Sequence, residues 1–141
     1  MSETGKATGR CLCGAVRLMV AAFSGTFGAC HCDMCRRWGG GPLMATNCGS
    51  DVSFEGEEHI SVFDSSGWAD RGFCSRCGSH LFYRLKQQQQ YIVPIGLFDS
   101  APDVIFDTQV FIDEKPAYYA FVNDTRDLTG AEVEALFAGN S

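Results

Sequence analysis

Between Gly14 and Phe23 the apolar residues Val16, Leu18 and Val20 alternate with Arg17 and Met19. A period of two places one set of side chains on one face, so this stretch predicts a half-buried strand. Further strands are predicted at Leu43 to Asn47, Ile60 to Asp64, Arg71 to Phe73, Leu81 to Leu85, Tyr91 to Ile95 and Val104 to Ile112, separated by turn residues at short intervals. Such spacing predicts a mainly β fold of largely antiparallel sheets. The polar run Gln87 to Gln90 reads as a solvated hairpin loop. Cys30 to Trp38 reads as a compact turn, with about one helical turn, stopped by Gly39-Gly40-Gly41-Pro42. Thr129-Gly130-Ala131-Glu132 has the form of a capping box, with Val133, Leu136 and Phe137 at helical spacing and Gly139 after them, which predicts one short C-terminal helix. Residues 1–9 read as a flexible tail and 10–141 as a single domain.

With 141 residues, 45% hydrophobic and 20% charged, the chain has the composition of one soluble domain and neither that of a disordered segment nor of a rod. Its longest apolar stretches, such as Leu18 to Phe23, fall far short of the roughly 20 residues of a membrane-spanning helix. Met1 to Arg10 is polar and lacks the apolar core of a secretory signal, so the cytoplasm is the expected compartment. The net charge of -6 argues against a nucleic-acid backbone as the main partner. Through Lys86 nine basic residues balance eight acidic ones, whereas beyond it two basic residues face nine acidic ones. Any anion-binding role therefore belongs to the first part of the chain.

The eight cysteines are clustered, and without an export signal thiolate metal sites explain the clusters better than disulfides do. Cys74-Ser75-Arg76-Cys77-Gly78 has the form of a zinc knuckle, whose glycine can take the backbone angles that turn an amide toward a thiolate. Cys11 and Cys13, two apart, point to one face if the chain is extended there. Together these four sulfurs predict a closed, structural zinc site. Cys30, Cys32 and Cys35 supply three thiolates for a second zinc. Its fourth position is either open to water or substrate, as in a catalytic site, or filled by His31, Cys48 or a histidine elsewhere. The open arrangement is preferred because His31 would have to bend past its own neighbours to reach the same ion. Cys48 reads as a small buried apolar residue, and His31, His59 and His80 as packed or surface residues.

The set Cys11-Leu12-Cys13-Gly14-Ala15-Val16, Cys30-His31-Cys32-Asp33-Met34-Cys35-Arg36 and Phe73-Cys74-Ser75-Arg76-Cys77-Gly78, with Leu81, resembles the glutathione-dependent formaldehyde-activating enzyme family, which includes centromere protein V-like members. The resemblance covers about residues 10 to 120. It implies a β-tent fold with two zinc ions, one structural on Cys11, Cys13, Cys74 and Cys77 and one catalytic on Cys30, Cys32 and Cys35. It also implies a carbon-sulfur lyase activity that joins formaldehyde and glutathione reversibly as S-hydroxymethylglutathione. Family members often carry a histidine and a tryptophan late in the chain, where this sequence has Gln109 and Tyr118.

A zinc-dependent enzyme acting on a thiol adduct of a small aldehyde is therefore expected, with glutathione or another small thiol as partner. Arg36 and Arg37, directly after the last cysteine of the second set, suit the carboxylates of a glutathione-like ligand, or else pair with the acidic C-terminal part. The alternative is a non-enzymatic zinc scaffold or interaction module of the same fold. Redox catalysis on a related fold, as in methionine sulfoxide reductases, would need a reactive thiol such as Cys48 and is disfavoured because the C-x-C groups do not match that family's paired C-x-x-C zinc site.

Overall fold

The computed structural model describes residues 5–99 and 103–138. Among these residues the strands are β1 (Gly5–Arg10), β2 (Arg17–Phe23), β3 (Thr26–Cys30), β4 (Leu43–Asn47), β5 (Val52–Glu55), β6 (Ile60–Asp64), β7 (Ala69–Cys74), β8 (His80–Leu85), β9 (Gln90–Pro94), β10 (Ile105–Val110) and β11 (Arg126–Leu128). The α-helices are α1 (Asp33–Gly39) and α2 (Gly130–Ala138), and single 3-10 turns lie at Glu57–His59, Ile95–Leu97 and Ile112–Glu114. The expected mainly β architecture with a short C-terminal helix is present. Gly139, the expected stop of that helix, lies outside the described residues. The chain divides into two compact units, one holding the residues up to Gly25 with Thr46–Val104, the other Thr26–Ala45 with Ile105 onward.

In the first unit β1, β2 and β5 form an antiparallel sheet, and β6 to β9 form successive antiparallel pairs. Residues 5–9, expected in a flexible tail, instead belong to strand β1. Their lack of apolar alternation hid them, because what holds them is backbone pairing: Thr8 lies opposite Met19, Arg10 lies opposite Arg17, and the Thr8 carbonyl accepts from the Asp99 amide at 2.9 Å. The predicted alternation of β2 is seen in the burial of Leu18 and Val20, which pack with Cys48 and Val93. A second cluster joins Cys11, Val16, Cys74, Leu81 and Phe82, so two sulfurs of the first cysteine set belong to the core. Gly72 seats the Phe82 ring across β7 and β8, where a Cβ would lie 2.3 Å from the ring.

The second unit departs from the antiparallel expectation. β3 pairs antiparallel with β4, but β10 pairs parallel with both β3 and β11. Phe27 and Phe106 stack across β3 and β10 with ring centroids 5.1 Å apart. Helix α1 follows β3 after one intervening loop, capped by Cys32 at its start and by Gly40, in the left-handed region at φ 83, at its end. The glycine stop read from the sequence is thus an αL cap, whose amide donates to the Arg36 carbonyl at 2.8 Å. Helix α2 opens on the predicted capping box, with the Thr129 amide donating to Glu132 and the Glu132 amide donating to the Thr129 hydroxyl.

Candidate metal centres

Cys11, Cys13, Cys74 and Cys77 converge in the first unit, their sulfurs all within 4.8 Å of one another. Cys11 and Cys13 sit on a turn after β1 rather than on extended chain: the Gly14 amide donates to the Cys11 carbonyl at 3.1 Å, and Gly14 takes φ 81. The turn brings the two sulfurs together as effectively as a strand face would. Cys74 ends β7, and Cys77 lies in the following turn, where Gly78 takes the expected positive φ. Its amide donates to the Cys74 carbonyl at 2.8 Å, not to a thiolate. The sulfurs of Cys11 and Cys13 are 3.7 Å apart, and those of Cys13 and Cys74 are 3.9 Å apart. Four thiolates at zinc–sulfur bonding distance around a tetrahedral ion lie about 3.8 Å from one another, so the donor set fits zinc.

The surroundings favour charged sulfur at Cys77 and Cys11, whereas at Cys13, against the pull of the Ala15 amide, burial and the neighbouring thiols push the thiol up to about 11. The Ser79 hydroxyl lies 3.2 Å from Cys77 Sγ, and hydrogen bonds from the Ser79 hydroxyl and backbone pull the Cys77 thiol down to about 5. The same hydroxyl accepts from the Leu12 amide at 3.0 Å, so Ser79 ties the two cysteine-bearing turns together. Burial raises the Cys11 thiol, but donation from the Val16 amide and from neighbouring thiols brings it below its ordinary value. Ser79 was not singled out in the sequence; its position two residues after Cys77 is the one signal that could have found it.

Cys30, Cys32 and Cys35 converge in the second unit, again with all sulfurs within 4.8 Å. Cys30 ends β3, Cys32 is the N-cap of α1, and Cys35 lies one turn into that helix with its amide 3.4 Å from Cys32 Sγ. The crowding of Cys32 and Cys35 pushes the Cys30 thiol far above its ordinary value. Three such sulfurs cannot all ionise unless a cation shares the charge, which is the chemistry of a metal-binding thiol set. Among the described residues no fourth cysteine, histidine or carboxylate joins them.

His31, between two of these cysteines, is fully buried and has both ring nitrogens engaged. Nδ1 lies 2.7 Å from the Tyr119 hydroxyl and Nε2 lies 2.8 Å from Gln109 Oε1. Gln109 Nε2 donates to Thr125 Oγ1 at 2.8 Å, and Thr125 donates to Asp127 Oδ1 at 2.6 Å. An ionised carboxylate has no proton to give, so the polarity of the chain is set from Asp127 backward. Thr125 must receive from the amide nitrogen of Gln109, whose oxygen then faces His31 and receives from Nε2–H. Burial holds His31 below its ordinary pKa, and its Nδ1 therefore accepts from Tyr119. The histidine is thus a packed, hydrogen-bonded residue with no nitrogen left for a metal. Tyr119, Thr125 and Asp127 escaped the sequence reading of the site, and Gln109 entered it only as the residue in a family histidine's place, since no local spacing links them to the cysteines.

The other candidates fall elsewhere. Cys48 packs in the apolar core of the first unit, where burial pushes its thiol up to about 12. Arg36 donates from Nε to the His31 carbonyl at 2.9 Å and so braces the loop that carries the second set. Arg37 pairs with both oxygens of Asp33 at 3.1 and 3.0 Å while its side chain stays 79% exposed. His59 and His80 belong to the first unit and join neither cysteine set.

The model of the family described as "Glutathione-dependent formaldehyde-activating enzyme" matches residues 6–114, a span that contains both cysteine sets. An uncharacterized lyase of Schizosaccharomyces pombe is 36% identical over 126 residues, covering 89% of this chain and 92% of the relative. A Halomonas elongata protein, provisionally named as a glutathione-dependent formaldehyde-activating enzyme, is 36% identical over 83 residues, covering 52% of this chain and 53% of its own length. The crystal structure of a Rhodobacter sphaeroides protein shares the fold, with a TM-score of 0.58 at 24% identity over 70% of this chain and 98% of that one.

Proposed function

The chain belongs to the glutathione-dependent formaldehyde-activating enzyme family, and from that premise we propose that it is a zinc-dependent enzyme of the carbon-sulfur lyase type, making and breaking the adduct of a small thiol such as glutathione with a small aldehyde. The observation that carries this reading is the three-sulfur set of Cys30, Cys32 and Cys35, beside which His31 has both nitrogens committed to Tyr119 and Gln109. A set of three protein ligands with the adjacent histidine withheld suits a catalytic ion, whereas the four sulfurs of Cys11, Cys13, Cys74 and Cys77 suit a structural one.

When bound there, zinc supplies the positive charge that favours a thiol as thiolate and the Lewis acidity that polarises a carbonyl. The remaining work falls to the chain. Cys30, Cys32 and Cys35 would hold the ion at the junction of β3 and α1, and the Arg36 bond to the His31 carbonyl braces that junction. Arg37, exposed and paired with Asp33 on its own helix, supplies a guanidinium for a carboxylate of the thiol. Holding thiol and aldehyde side by side turns a bimolecular addition into an intramolecular one.

Replacing Cys32 with Ser tests the reading. A soluble protein that keeps about one zinc and loses turnover of glutathione plus formaldehyde is the expected result. Unchanged turnover overturns it. Cobalt substitution adds a second readout, since a spectrum at the second set that responds to glutathione supports the enzyme, and two inert sites support a zinc scaffold.

A further inference from the structure

Pro42, Met44, Tyr118, Tyr119 and Phe121 line an open cleft of about 470 Å³ in the second unit, completed by small residues and without a charged side chain. Two links tie this cleft to the second cysteine set. Gly40, part of its wall, is the cap of the helix that carries Cys35. Tyr119 hydrogen-bonds His31, the residue between Cys30 and Cys32.

The walls are fixed before any ligand arrives. Lys115 Nζ donates to the carbonyls of Pro116 and Tyr119 and lies 5.3 Å from the Tyr119 ring centroid. Phe121 packs edge-on against Phe106 at 5.0 Å. A preformed apolar wall binds apolar groups with little ordering cost. The charged ends of glutathione gain nothing in an uncharged, aromatic-lined cleft, and formaldehyde brings no carbon chain to fill one.

We infer that this cleft seats an apolar substituent of the thiol adduct, so that the favoured substrates carry a short alkyl or aryl chain beside the reacting sulfur. The identity of the adduct rests on the lyase reading above; the cleft assignment has its own test. Calorimetry on the zinc-loaded protein with S-methyl-, S-propyl- and S-hexylglutathione places a growing chain where the aldehyde carbon would be. Methane-, propane- and hexanethiol place it on the thiol side. Affinity is expected to rise roughly two- to fourfold per methylene in one of the two series, and that series names the side. Met44→Lys and Tyr118→Ser, the latter at a side chain 78% exposed and so safe for folding, should flatten the rise with zinc content unchanged. A flat response in both series, or a rise that survives both substitutions, overturns the inference. Turnover by the same preparation is scored separately, for glutathione plus formaldehyde, glutathione plus hexanal and hexanethiol plus formaldehyde. A graded series without turnover defeats the lyase reading and supports the cleft, whereas turnover with flat series defeats the cleft alone.

Discussion

Gln109 holds His31 through a 2.8 Å bond between Oε1 and Nε2, while its amide nitrogen bonds Thr125 at the same distance. Both partners of this 5% exposed side chain depend on it. Gln109→Leu keeps the volume but strands the His31 donor in a dry site, at a cost of about 1–3 kcal/mol. Denaturant unfolding of the zinc-loaded protein should show the loss; an unchanged midpoint would mean that water replaces the amide without penalty.

The packing of Gly72 under Phe82 gives a second prediction. A methyl group at 2.3 Å from the ring has no room unless β7 and β8 move apart. Gly72→Ala should cost about 1–3 kcal/mol, in the range of overpacked cores, and Gly72→Ala combined with Phe82→Leu should cost less than the sum of the two single changes. Strict additivity would refute the contact.

Removal of metal from the first cysteine set should loosen the unit that contains it. The bond between Cys13 and Cys74 sulfurs through an ion would close a loop between positions 61 residues apart. Chelation, or Cys74→Ser, is therefore expected to abolish hydrogen-exchange protection in β7 and β8 before it affects β10. Equal protection with and without metal would show that the strands stand without it.

The capping box of α2 makes a pH prediction. The Thr129 amide donates to Glu132 and holds its carboxyl below the usual range. A depressed folded-state value means that the stabilisation is present above the carboxylate's unfolded range and lost as pH falls through the folded one. Helix α2 should fray on acidification through that window, read by carbonyl shifts of Glu132, and Glu132→Gln should remove the pH dependence. A titration at the ordinary carboxylate value would contradict the cap.

Local pattern carried much of this architecture. β4 and β6 run over the residues that alternation and turn spacing indicate, and both cysteine sets assemble as their spacing suggests. Strand β3 was not legible because Thr-Phe-Gly-Ala-Cys has no apolar alternation, and Gly28 is there so that β3 can approach β10: a Cβ would lie 3.0 Å from the Thr108 carbonyl oxygen. The parallel pairing of β10 was equally hidden, since nothing in a strand's own residues states the direction of its neighbour. Gln109 stood out in the sequence only as the residue in a family histidine's place. Its role needs His31, 78 positions away, and no window along the chain holds both.

The same separation bears on biosynthesis. β3 cannot gain its parallel neighbour until β10 has left the ribosome, so the thiols of Cys30, Cys32 and Cys35 emerge well before the strand that flanks them. The three sulfurs lie within six consecutive residues, so what β10 adds is the flank of β3 and the Gln109 partner of His31, not the thiols themselves.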